Sequence, residues 1–98
     1  MKIKVYEKEG SPVIAPEGKI DHATVTEFEE KINEIGKDSD TLILDMAGVE
    51  YVSSAALRAI LNANDLMEDK GGLVITNVNH MVMEIFKITG FSEYLKIQ

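Results

Sequence analysis

Apolar and polar positions change their period several times along the chain, and each change marks an element. Ile3 and Val5 alternate with charged residues, which predicts a half-exposed strand, and Glu9-Gly10-Ser11-Pro12 is turn chemistry leading into a second strand at Val13-Ile14-Ala15. The period then lengthens. Val25, Phe28, Ile32 and Ile35 share one helical face, with Glu27, Glu29 and Glu30 early and Gly36 just past the expected end. Lys37-Asp38-Ser39-Asp40 is a polar loop, and Thr41 to Met46 is a nearly continuous apolar run of the kind a strand covered on both faces shows. From about Ser54 a helical pattern runs to Lys70, with Leu57, Ile60, Leu61, Ala63 and Met67 as its apolar face and Gly71-Gly72 as its stop. Leu73 to Thr76 predicts another buried strand. Asn79 is placed to cap a helix carrying Val82, Ile85 and Phe86 inward; Gly90 ends it, and Phe91 to Leu95 form a final turn.

Strands alternating with helices predict parallel pairing through right-handed crossovers. The expected fold is therefore α/β: one domain over residues 1–98, a mostly parallel four-stranded sheet with an antiparallel N-terminal strand, and about four helices. At 98 residues and 45% hydrophobic content the chain suffices for one compact core.

Composition narrows the function classes. A net charge of −7 argues against nucleic acid and anionic membrane as partners, since both reward clustered Lys and Arg. Without cysteine there is no disulfide, thiolate chemistry or Cys-ligated metal. The N-terminus has no apolar core of signal-peptide length and no later run is long enough to span a bilayer, so a cytoplasmic protein is expected.

The chemistry concentrates in Tyr51-Val52-Ser53-Ser54-Ala55-Ala56-Leu57, where two hydroxyls stand between a strand pattern and a helix start. The first N–H groups of a helix lack intrahelical partners and carry the positive end of the macrodipole, so a dianion placed there is stabilised. Loops after parallel strands converge at one sheet edge, which would bring Asp21 and His22, Ser53 and Ser54, and Asn77, Asn79 and His80 into one neighbourhood. Ser53 is the more natural N-cap of the pair, leaving Ser54 free, although the inverse assignment stays open. Asp21 suits either the ordering of the serine loop or a cap for the first helix. A hydrolase with Ser54 as nucleophile and His22 or His80 as base lacks any Gly-x-Ser-x-Gly elbow, and two histidines in separate loops have no further ligand at metal spacing. Gly71-Gly72 precedes a strand and is a helix stop rather than a phosphate-cradling loop. Tyr51, Val52, Met81 and Met83 flank the polar edge and, with Ser53, suit a protein-docking surface; core packing fits Val52 at least as well, and Met83 is expected to be the better interface residue because it falls off the Val82, Ile85, Phe86 face.

Taken in order, Gly18-Lys19-Ile20-Asp21, the strand at 41–46, Ser53-Ser54-Ala55-Ala56-Leu57, Gly72-Leu73-Val74-Ile75 and Ile88-Thr89-Gly90-Phe91 resemble the pattern of the anti-sigma factor antagonists, the bacterial branch of the STAS (sulphate transporter and anti-sigma factor antagonist) family. The resemblance covers most of the chain. It departs at two positions: Ser53 stands where the family has Asp, and Ala56 where it has Gly. The resemblance implies that Ser54 is a phosphoacceptor, with Asp21 beside it, and that the protein is no enzyme and needs no cofactor. It implies as partners an anti-sigma factor that is also a serine kinase, and a phosphoserine phosphatase. The unphosphorylated protein would hold the anti-sigma factor and so release a sigma factor. The alternative it leaves is a STAS module that only docks, within a larger signalling or transporter-associated assembly.

Overall fold

The computed structural model describes residues 1–98. Strands β1 (Lys2–Lys8) and β2 (Ser11–Ile20) form an antiparallel hairpin running from the Lys8↔Ser11 pair to Lys2↔Glu17. Helix α1 (Val25–Gly36) leads to β3 (Thr41–Asp45) and β4 (Val49–Val52), then α2 (Ser54–Glu68), β5 (Gly72–Thr76), α3 (His80–Thr89), a 3₁₀ turn at Phe91–Glu93 and β6 (Lys96–Ile97). The sheet order is β1-β2-β3-β5-β6, parallel beyond the first pair, with β4 on β2.

This corrects the expectation of four strands and about four helices: there are six strands, three α-helices and one 3₁₀ turn. The extra strands come from pairing rather than from pattern. β2 pairs with β3 at Val13 and Ile14, then with β4 from Gly18 to Ile20, with the register shifting between Gly18 and Lys19. Gly18 takes φ +92 at this bulge, a conformation that glycine adopts without penalty, and its N–H reaches Gly48 O at 2.8 Å. β4 thus carries the chain on along β2 after β3 has ended. The expected turn at Phe91–Leu95 is the 3₁₀ turn, and the chain then adds the two-residue β6 beside β5. Gly36, expected just past α1, is instead its last residue.

A second correction concerns β3. Leu42 and Leu44 are fully buried with Ile14, Leu73 and Ile75 against helix residues such as Phe28, Ile60, Met67 and Phe86. Thr41, Ile43 and Asp45 are only half-buried, because the opposite face of the sheet carries no helix and forms an open cleft with Tyr6 and Thr76. Gly71 allows α2 to turn directly into β5: its N–H donates to Asp40 O at 2.7 Å, where a Cβ would lie 2.5 Å from Thr41 Cγ2. Just before it, Lys70 Nζ donates to the carbonyls of Gly36, Lys37 and Ser39 at 2.9, 3.1 and 3.3 Å, placing a cation on the carbonyl oxygens at the end of α1 and in the loop that follows.

Candidate functional site

The site is assembled by neighbouring strand ends. Ile20 pairs with Val52, and the next N–H, that of Ser53, donates to Ile20 O at 2.9 Å, so the loop beginning at Asp21 lies beside the serines. Ser53 is the N-cap of α2: its backbone is extended and its Oγ accepts from Ala56 N at 3.2 Å. Ser54 is the first helical residue, exposed, and its hydroxyl makes no hydrogen bond within the chain. It borders a cleft of about 330 Å³ with Ala55, Arg58 and Ala59 of α2 and Glu29 of α1.

Asp21 orders its own loop more than it caps α1. Its Oδ1 accepts from Ala23 N at 3.0 Å and Thr24 N at 3.2 Å, and Thr24 Oγ1 accepts from Asp21 N and donates to Lys19 O, both at 2.9 Å. The Ala23 bond foremost, with Thr24 and the nearby His22, holds the Asp21 carboxyl below its ordinary range despite some desolvation. Thr24, which precedes α1, gives no side-chain cap bond. His22 and His80 are exposed and hydrogen-bonded to nothing, and no three metal-ligating side chains stand together. Asn79 caps α3 through Val82 N at 2.8 Å while its Nδ2 donates to Val49 O at 2.8 Å, locking α3 to β4.

Asn77 does not join the serines. At φ +57 it turns its amide onto Asp45 Oδ1 at 3.0 Å, and Tyr6 Oη donates to Asp45 Oδ2 at 3.0 Å, on the open face of the sheet. Desolvation opposes ionisation of Asp45, but bonds from Asn77, Ala47 N–H and Tyr6, with Lys8 nearby, outweigh it and hold the carboxyl low. The same bond to Asp45 raises Tyr6 above the usual phenol range. A depressed carboxyl contributes stability that is present above its unfolded pKa of about 3.9 and is lost as pH falls through the lower folded value. Urea midpoints are therefore expected to drop below about pH 4, and Asp45→Asn should flatten that acid limb while Asp21 keeps part of it. An unchanged acid limb in Asp45→Asn would refute this role for Asp45.

Of the apolar flanking residues, Tyr51 is 42% and Met81 58% exposed, whereas Val52 is core. Met83 is half-buried, so Met81 offers the larger free surface of the two methionines.

A family model described as the STAS domain matches residues 2–98. The chain belongs to the STAS domain family. This STAS domain is 29% identical over 93 residues to BtrV of Bordetella bronchiseptica, a candidate anti-sigma factor antagonist, covering 93% of the chain and 80% of BtrV. It superposes on an anti-sigma factor antagonist from Mycobacterium paratuberculosis with a TM-score of 0.90 at 20% identity, over 98% of this chain and 83% of that one. It also superposes on the Bacillus cell fate determinant SpoIIAA in its phosphorylated form, with a TM-score of 0.74 at 17% identity over 99% and 91% of the two chains. At these identities the superpositions show a common fold. Within this STAS domain the structure adds Glu29 and Arg58 to the residues around Ser54. Only Arg58 had a visible signal, its spacing one helical turn after the serine.

Proposed function

We propose that this STAS domain is an anti-sigma factor antagonist whose binding is switched by a phosphate on Ser54. The observation that carries the reading is the division of labour between the two hydroxyls. Ser53 is spent on the helix cap, while Ser54, one residue on, is exposed and unbonded. In the modification, Ser54 Oγ attacks the γ-phosphorus of ATP, an O–P bond forms, the hydroxyl proton leaves to a base on the kinase, and ADP departs. The anti-sigma factor is the kinase in this scheme and a phosphoserine phosphatase hydrolyses the ester, so this chain supplies no catalytic group. The names of its relatives and the phosphorylated state of a protein with the same fold support the reading. A cytoplasmic setting follows from such a partner.

A second reading, a docking module without phosphate, is favoured by Ser53 standing where the family pattern has Asp. Intact-mass analysis after incubation with ATP and host lysate, followed by fragment mapping, separates the two. Phosphate is expected on Ser54, lost in Ser54→Ala and retained in Ser53→Ala. The opposite pattern would exchange the roles of the serines, and unmodified protein would leave the docking module.

A further inference from the structure

Arg58 is the only arginine in the chain, and it makes no ion pair and no hydrogen bond. It lies four residues after Ser54 on α2 and borders the same cleft. Side chains at this spacing stand above one another on a helix, their Cβ atoms about 5–6 Å apart. An arginine fork matches phosphate oxygens through paired N–H donors. The other charged groups around the serine do not supply this match. Asp21 is anionic and occupied by its own loop, His22 lacks the paired donors of a guanidinium, Lys19, which pairs with Tyr51 in the strand register, ends in a single ammonium, Glu50 on β4 is an exposed anion, and Glu29 faces the cleft from α1 with a negative charge. Arg58 is the one guanidinium of the set and the one cationic side chain lining the cleft.

We propose that Arg58 is the intramolecular receptor for phosphate on Ser54, with Glu29 opposing it across the cleft. The proposal rests on the reading of Ser54 as the phosphoacceptor. The hydroxyl of unmodified Ser54 gives Arg58 no anion to hold; a phosphate does, so the guanidinium folds back along α2. Glu29 limits how tightly that state is held, which keeps the ester within reach of a phosphatase. Arg58 is thus a positioning residue for the modified state and is idle in the unmodified one.

The test uses full-length protein with phosphoserine installed at position 54 by genetic encoding, so it does not depend on finding the kinase. Phosphorus NMR follows the second ionisation of the phosphate, which lies at about pH 6 in free phosphoserine. Arg58→Gln is expected to raise that pKa by about half a unit, and Glu29→Gln to lower it by a similar or smaller amount. Arg58→Lys should restore most of the wild-type value, and about 1 M salt should collapse the differences. Circular dichroism checks that each variant is folded. Identical titration of the wild type and Arg58→Gln, or a lower pKa in Arg58→Gln, would overturn the proposal. The kinase-mapping experiment fails separately: a site that no kinase modifies, but whose installed phosphate still senses Arg58, removes the switch and leaves the receptor standing.

Discussion

Phosphate on Ser54 is expected to weaken binding to the anti-sigma partner by roughly a hundredfold, equivalent to about 2.7 kcal/mol, while leaving the fold intact. The two halves have different causes. Phosphoserine adds a charge of about −1.5 to −2 at neutral pH, and a position in the first turn of a helix tolerates it well. Ser54 is also exposed and bonded to nothing, so the modification breaks no native contact. A partner seated over the serine loop, by contrast, would have to strip water from a new anion. Removing one member of a desolvated charge pair costs several kcal/mol, and a charge with no counterpart on the partner meets the same penalty. Ser54→Asp carries about half of the charge and should cost about tenfold. Titration calorimetry of the unmodified, Ser54→Asp and phosphorylated proteins checks the order, with circular dichroism on each. Equal affinities for all three would take Ser54 out of regulation.

The largest effect on stability is expected at Phe86. It is fully buried, and with Val82 it forms the buried surface of the ten-residue α3. Phe86→Ala should cost about 3–5 kcal/mol through lost burial and the cavity left behind. That is a large share of the roughly 5–15 kcal/mol that holds a domain of this size folded. Two residues further on, Ile88 is 82% exposed, so Ile88→Ala should stay within about 0.5 kcal/mol of the wild type. Urea denaturation of the three proteins checks the contrast. A small loss at Phe86 would mean that α3 contributes little to the core.

Much of this architecture was legible because local chemistry and tertiary role agree. The faces of α1 and α3, the Asn79 cap and the left-handed Gly90 follow from spacing and capping alone, as does the face of α2 except at Leu61, which is only half-buried while Ala56 and Ala59 take the core positions. β4 escaped because Glu50 and Tyr51 are both exposed between buried Val49 and Val52, which breaks the alternation that marks a strand. β2 runs to Ile20, well past Ala15, although Pro16 and Gly18 read as breakers: the proline's ladder partner is Ile3, and the glycine serves the bulge. At the site, N-cap chemistry told Ser53 from Ser54. Asn77 was misplaced because position in a loop does not reveal which face of the sheet a side chain leaves from, and its positive φ sends it to Asp45. Glu29 was invisible as a site residue, since it meets Ser54 only when α1 and α2 pack.

The bonding of Ser53 restricts the kind of enzyme that can reach its neighbour. Its N–H closes onto Ile20, its carbonyl receives Leu57 N, and Val52, Ala56 and Leu57 around it are core. A kinase that threads its substrate through an active-site groove as an extended peptide would have to pull this segment out of both sheet and helix, at a cost approaching global unfolding. Ser54 is therefore available only to an enzyme that recognises a three-dimensional epitope. A short synthetic peptide spanning the serines would present the same letters and none of that shape.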